Sequence, residues 1–394
     1  MTPAAENIRG TSALPYHLLY GRPKYVDVTV YSLNYNNLSL TEIAKTEKEL
    51  NLKVILLRKS WWVDLCLRNK LGILFRILYP YPIHNYIRLY KADLIMINEK
   101  SFDGIWIYGE ELSRVSKQFP CYRRVHILPD CESLYYRRLV NQPWFKDNKI
   151  SVIRKQIMGM KFVRMERNFD HSVNIHYYLV GDEDKKELMK INPRVQAHFI
   201  RHPHYNINPT GSAFCSSLLN GRKIKVLIAA QYNTYVKYDA DLLINALAIN
   251  SSLSNDFLIT FLGKHWDEKV DILKEAGFDV DYIKFAPDYI KEICKHDIQI
   301  TPISIGTGTK GKVLDALANG LLVIGTKFAL ENIAVKDKHS CLQYKSTDEL
   351  ISILKDIPQR IEAYQKIAKA GRDVVLTEHN RGKVSKEMFS LFTL

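Results

Sequence analysis

The stretch "ITPISIGTGTKGKVLDALANGLLVIGT", residues 300–326, decides how the rest of the chain is read. Within it Gly306, four further residues, Gly311 and Lys312 come close to a Walker A phosphate loop, but Val313 stands where that loop needs a Ser or Thr hydroxyl for Mg²⁺. The other ingredients of phosphate binding are present. Ile300–Ile303 closes a strand, Gly306-Thr307-Gly308-Thr309 makes a flexible turn, and a helix runs from near Lys310 to a stop at Asn319-Gly320. Glycines let backbone N–H groups approach a phosphate, and a helix N-terminus favours an anion. Lys310 and Lys312 add positive charge, and Asp315, one turn after Lys312, offers an acceptor suited to a sugar diol. The plain alternative is an exposed Lys312/Asp315 pair at i,i+3 beside glycines that merely turn the chain.

Outward from this loop the same grammar repeats. Upstream, "IKVLIAA" (224–230), "FLITFLG" (257–263), "VDYIKF" and "IQITPI" read as strands, separated by helical runs such as "DEKVDILKEAG" and "PDYIKEICKH". "LLVIGT" follows as another strand. Continuous apolar strands alternating with helices imply a parallel sheet covered on both faces. The N-terminal half gives strand-like runs at 26–33, 53–58, 92–98 ("ADLIMIN"), 104–109, 124–130, 175–181 and 195–201, with a helix in "SLTEIAKTEKELN" after a Ser39/Thr41 start. Between the halves, "HPHYNINPTGSAFCSSLLNGR" is rich in Pro, Gly, Asn and Ser and reads as a linker. The expected organisation is α/β, with two Rossmann-like doubly wound domains facing a cleft: residues 1–205, a linker at 206–222, a second domain at 223–378, and a C-terminal helix at 379–394 packing back toward the first domain. In such sheets ligands bind at the C-terminal ends of the strands.

Composition narrows the partners. The 394 residues carry 56 Lys and Arg against 42 Asp and Glu, a formal charge of +14, which suits a phosphate-rich ligand or an anionic surface. No nucleic-acid recognition module is visible, so no nucleic acid is expected. The six cysteines form no Cys-x-x-Cys or zinc spacing and read as reduced thiols, with no metal expected. "MTPAAENIRG" lacks the apolar core of a signal peptide, and "LGILFRILYPYPI" is too short and interrupted to span a bilayer. A cytoplasmic protein is expected, peripheral at most on the inner face of the plasma membrane. Residues 58–91 supply the reason: Arg68, Lys70 and Arg76 are interleaved with Trp, Tyr and Leu, the pattern of an interfacial surface on anionic lipid. A solvated basic helix face with a buried apolar side is the alternative.

Residues 301–333, "TPISIGTGTKGKVLDALANGLLVIGTKFALENI", closely resemble the sugar-nucleotide signature of group 1 (family 4-like) glycosyltransferases of the GT-B fold. "YYLVGDEDKKEL" and "LPDCESLYYRR" resemble segments of that family's acceptor domain. The resemblance implies that Asp315 holds the donor ribose, that Lys310, Lys312 and Lys237 neutralise the diphosphate, and that Gly306, Thr307 and Gly308 meet the phosphate or donor sugar through backbone. Glu331 matches the acidic residue before the aliphatic pair. Many members carry Glu where Thr307 stands, so that sugar contact is expected to be absent here or made by backbone. In the first domain Arg9, Gly10 and Thr11 line the cleft, and Asp130 is the catalytic candidate. The family places a strand ahead of its first glycine loop, and residue 1 already stands in what resembles that loop, so the expectation is that either the true start lies upstream or the first strand is missing or truncated.

The implied activity is retaining, metal-independent transfer of a sugar from a nucleotide-diphosphate-sugar to a glycan or lipid-linked acceptor, as in surface polysaccharide or lipopolysaccharide synthesis, with no cofactor beyond the donor. A sugar-nucleotide epimerase of the same fold and a non-catalytic partner subunit are the alternatives. Asp279 and Asp281 form an Asp-x-Asp, but in a helix-to-strand turn away from the glycine loop, where turn acidity explains it better.

Overall fold

A computed structural model describes residues 1–5, 11–68, 71–146, 149–208, 214 and 222–392. The chain divides into two compact units, Met1–Pro203 with Arg381–Leu394, and His204–Asn380. The first unit contains strands β1 (Thr29–Ser32), β2 (Lys53–Leu56), β3 (Gly104–Tyr108), β4 (Arg123–Leu128), β5 (Ile175–Leu179) and β6 (Ala197–Phe199). The second contains β7 (Ile224–Ala229), β8 (Phe257–Leu262), β9 (Asp279–Ile283), β10 (Ile298–Thr301), β11 (Leu322–Gly325) and β12 (Leu342–Gln343).

In the second unit all six strands form one parallel sheet in the order β9-β8-β7-β10-β11-β12. The chain runs outward from β7 to β9, then returns to start β10 on the other side of β7. Strand order therefore reverses between β7 and β10, the switch point at which such sheets open a crevice. Apolar side chains bury on both faces. Val226 and Ile300 face one core, and Leu227 and Val323 face another with the buried side of helix Gly311–Ala318. Val313, the residue that spoils a Walker A reading, is wholly buried in that second core.

The first unit is built differently. β1 pairs in parallel with β2 alone, while β3-β4-β5-β6 form a separate parallel sheet. The two sheets share their cores: Val30 of β1 and Trp106 and Tyr108 of β3 pack against one core, and Tyr31 and Ile105 against another. Helix Leu40–Leu50 starts at Ser39 through a reciprocal capping box with Glu42. Helix Arg381–Ser390 belongs to this unit: Arg381 donates to His17 Nδ1 at 2.9 Å, and Phe389 packs edge-on to Trp106.

One expectation fails. "ADLIMIN" is not a strand but the helix Lys91–Asn98. The apolar run is too short for periodicity to separate helix from strand. Asp93 in the first turn suits a helix start, and Leu94 and Ile97, one turn apart, reach the same core. The expected linker is also partly structured. Residues 204–208 belong to the second unit, and Phe214 is fully buried in its core with its carbonyl accepting from Gln365 Nε2 at 3.2 Å. Residues 209–213 and 215–221 lie outside the described residues.

Candidate functional site

Three strand ends meet at the switch point of the second unit. After β10 the chain enters the glycine loop. Ser304 N donates to Tyr235 O at 2.8 Å, and Ser304 Oγ accepts from Asp239 N at 2.9 Å, so the loop is tied to the segment after β7. After β11, Thr326 Oγ1 donates to Ile303 O at 2.7 Å while capping the short helix Lys327–Leu330. Asn332, left-handed at φ 68°, donates Nδ2 to Gly308 O at 2.9 Å. Gly308 is itself left-handed at φ 61°, a conformation for which a residue without Cβ is suited.

Lys310 is the N-cap of helix Gly311–Ala318. Its ammonium folds onto the loop, donating to Thr307 O at 2.5 Å and Gly308 O at 3.1 Å. Gly306 makes room for this: a Cβ there would stand 2.7 Å from Lys310 Cε. The loop is thus closed around its own lysine rather than splayed.

Asp315 is buried, which removes the exposed Lys312/Asp315 pair from consideration. Its Oδ1 has no hydrogen-bond partner, although the backbone of Tyr205 donates to the carboxylate. Burial pushes its pKa up to about 7, against the opposing pull of Lys312. Next to it is Tyr289, a phenol whose buried hydroxyl is also unpartnered and which burial and the Asp315 charge push up. Lys312 lies over the Tyr289 ring, 5.6 Å from its centre. Asn319 pins the helix end: its Nδ2 donates to Asp315 O at 2.8 Å, and its Oδ1 accepts from Asn208 N at 2.7 Å. An acid, a phenol and an ammonium therefore converge beside a glycine loop, with acceptor and donor capacity that the chain does not use.

The remaining second-unit candidates fall on the same rim. Lys237 opens the helix Lys237–Ile249 after β7 and donates to Tyr232 OH at 2.8 Å and Asp241 Oδ2 at 2.9 Å. Glu331 is half-buried and immediately precedes Asn332. Asp279 lies elsewhere, on the edge strand β9, in an ion pair with Lys223 at 2.6 Å. Asn332 and Tyr289 were not singled out in the sequence, and Asn319 only as the stop of the helix. Only the Glu-Asn-Ile part of the motif hinted at the first.

In the first unit Thr11 and Asp130 stand at neighbouring strand ends. Thr11 O accepts from Tyr108 OH at the end of β3 at 2.8 Å, and Asp130 follows β4. Arg9 and Gly10 lie outside the described residues. Around Asp130 gather Glu110, Glu111, Glu132 and Glu166, and burial, then mutual repulsion, holds Glu110 and Glu132 well above the carboxylate range. Glu166 is also raised, chiefly by burial; one of its oxygens accepts from Ser133 N at 3.1 Å and the other has no partner. Asp184 Oδ1 accepts from Cys131 N at 2.8 Å, which joins the two segments that resemble an acceptor domain. His126 is a core residue: fully buried, its Nε2 donating to Gly109 O at 2.8 Å, its pKa lowered to about 4 by desolvation. Arg68 and Arg76 fall in helices Trp61–Arg68 and Leu71–Leu78, while Lys70 lies outside the described residues.

With this geometry in place, the chain can be compared with known proteins. No family model and no curated protein matches the sequence. Solved structures do match over nearly the whole length. HepE of Anabaena, solved with UDP and glucose, superposes with a TM-score of 0.64 at 11% identity, over 100% of this chain and 98% of HepE. A glycosyltransferase of Rickettsia africae gives 0.63 at 12% identity, over 97% and 94%. WaaG, a glycosyltransferase involved in lipopolysaccharide biosynthesis, gives 0.62 at 13% identity, over 100% and 98%. At such identities the likeness is one of fold: the chain has the GT-B architecture, α/β with two Rossmann-like units of parallel sheet.

Proposed function

We propose that this protein is a glycosyltransferase of the group 1 (family 4-like) type that transfers a sugar, with retention and without a metal, from a nucleotide-diphosphate-sugar to a glycan or lipid-linked acceptor. The observation that carries this is the unpartnered, buried Asp315 Oδ1 beneath the glycine loop at the switch point. A ribose diol donates two hydrogen bonds, and a buried carboxylate with an unused oxygen is the acceptor it needs. Lys312, Lys310 once released from the loop carbonyls, Lys237 and the N-terminus of helix Gly311–Ala318 then stabilise the charge that develops on the leaving diphosphate. Thr307 and Gly308 present backbone rather than an acidic side chain to the donor sugar, and Glu331 stands beside them. UDP and UDP-glucose in the HepE complexes support this class of donor.

Asp315→Ala is expected to abolish UDP and GDP binding in calorimetry while leaving a cooperative unfolding transition. Unchanged affinity sinks the ribose assignment. Transfer that stops in EDTA and returns with Mg²⁺ sinks the metal-independent mechanism.

The acceptor side rests on the first unit, with Asp130 and Thr11 at its strand ends. Here a lipid-linked acceptor of surface polysaccharide or lipopolysaccharide synthesis fits best. Helices Trp61–Arg68 and Leu71–Leu78 pack together through Trp62 and Phe75, ring centres 5.1 Å apart, and leave Trp61 67%, Ile77 62% and Leu78 67% exposed. Apolar side chains outward, in a stretch whose sequence also carries Arg68, Lys70 and Arg76, suit the boundary of an anionic membrane. No helix among the described residues is long and apolar enough to cross one. Flotation with phosphatidylglycerol vesicles is expected to fall when Trp61, Ile77 and Leu78 become Ser. Unaltered flotation returns this surface to a solvated face.

A further inference from the structure

A second charged feature of the first unit has no place in that mechanism. The turn Ile83–Tyr86, the helix Ser113–Ser116 and the end of helix Lys149–Arg167 border a cavity of about 380 Å³. Its charged lining is Arg88, Arg114 and Lys117, without a carboxylate. Among the described residues none of the three forms an ion pair, and Asp170, whose charge acts on Lys117, is engaged with Arg124 at 2.7 Å.

The cavity is built rather than incidental. Asn85, buried, donates Nδ2 to the buried Ser113 Oγ at 2.8 Å and accepts Arg114 Nε at 2.9 Å. The Arg114 guanidinium lies over Tyr86, 4.6 Å from the ring centre, and over Tyr81 at 5.1 Å. Its orientation is therefore set before any ligand arrives, with the outer edge of the fork left over for an oxyanion. Lys117 spends one proton on Asn168 O at 2.6 Å and keeps two. Burial holds that ammonium below its usual range, with the Arg114 charge adding to the effect and the charge of Asp170 opposing it.

Position separates this cavity from the substrate region. Asn168, which holds Lys117, precedes Asp170, which clasps Arg124 at the start of β4, so the Lys117 wall of the cavity lies toward the entry side of the parallel strands. Substrates of such sheets bind at the exit side, where Asp130 stands.

We propose that this cavity binds a phosphomonoester of sugar-phosphate size, its phosphate held by Arg114 with Arg88 and Lys117. The volume lies near the lower end for small-molecule sites and fits one phosphorylated ring rather than a nucleotide-sugar. The assignment does not depend on the donor site.

The test is calorimetric titration of the full chain with glucose 6-phosphate, inorganic phosphate and glucose. Saturable binding of the two phosphates and none of glucose is expected. The exposed-residue variant R88Q/K117Q is expected to weaken it about tenfold or more, the loss that removing charged hydrogen bonds produces. K48Q/K190Q, with the same charge removed elsewhere on this unit, should bind as the parent does. Absence of saturable binding by the parent, or equal weakening in both variants, overturns the proposal. A headgroup source shows as flotation on phosphatidic acid vesicles that R88Q/K117Q abolishes and glucose 6-phosphate competes away. A free ester shows as titration with flotation unaltered.

Discussion

The two units use the same strand–helix grammar and reach different sheets. In the second, six strands join without a break, and two neighbouring ones are buried end to end: every residue of β10 and β11 is buried. In the first, two strands and four strands stay apart, and the strands that border the division, β1 and β3, are only half-buried over most of their length. A continuous sheet fixes where its exit ends lie, and the second unit uses that precision to converge Gly308, Lys312, Asp315 and Asn332 on one rim. The first unit instead concentrates buried acids at its exit ends, held by helices and turns more than by sheet. Information that is local in sequence therefore marks the site in one unit and is scattered in the other.

The comparison breaks or holds most visibly in the cores. Ile300 is fully buried in β10, and Ile105 half-buried in β3. Ile300→Ala is expected to cost ~2–5 kcal/mol by urea denaturation, because it removes burial and leaves a cavity. Ile105→Ala should cost ~1 kcal/mol, since less surface is returned to water. Equal losses would mean that the division in the first sheet carries no energetic consequence.

Asp315 sharpens the comparison at the site. Its pKa of about 7 in the folded chain exceeds the usual carboxylate value, so between pH 4 and 7 the folded state holds the proton and the unfolded state does not. Stability contributed by this group is complete below about pH 4 and is lost as pH climbs through about 7. Asp315→Asn should therefore be the more stable protein at pH 8, by an amount on the order of a few kcal/mol, and nearly equal to the parent at pH 4. UDP-glucose binding should move the opposite way, since the ionised carboxylate is the better acceptor. Parent affinity rises through pH 7, and the variant binds weakly at every pH. A variant that loses stability at pH 8 would show that Asp315 is a structural anchor instead.

How much of this was legible follows from how local each signal is. The glycine loop, the helix from 311 and the acid at 315 stand within ten residues, and one turn of helix dictates their mutual placement. Alternation of β and α runs gave the doubly wound class because strands buried on both faces need unbroken apolar stretches. "ADLIMIN" failed because seven apolar-leaning residues satisfy either period, and only the packing of Leu94 and Ile97 decides. The acids around Asp130 and the basic cavity were illegible for another reason. Glu110, Glu132 and Glu166, or Arg88, Arg114 and Lys117, meet only after elements far apart in sequence have packed. Asn332 was half-legible: its motif is visible, but its left-handed backbone and its reach to Gly308 are not.

Asn332 supplies the smallest and most discriminating test. Substitution by alanine would mix the lost hydrogen bond with the strain of a Cβ at φ 68°. Asn332→Gly keeps that backbone accessible and removes the side chain with its Nδ2 donor. Gly308 O still accepts from Lys310 at 3.1 Å, so no carbonyl is orphaned and the stability loss should stay near ~1 kcal/mol. If the loop must be held closed by its neighbours to present backbone to a phosphate, UDP affinity should fall by a factor of roughly five, the same energy read as binding. If affinity holds while stability falls, the bond belongs to the fold alone. The second unit's rim is then kept in shape by its sheet, which is the stronger form of the contrast with the first.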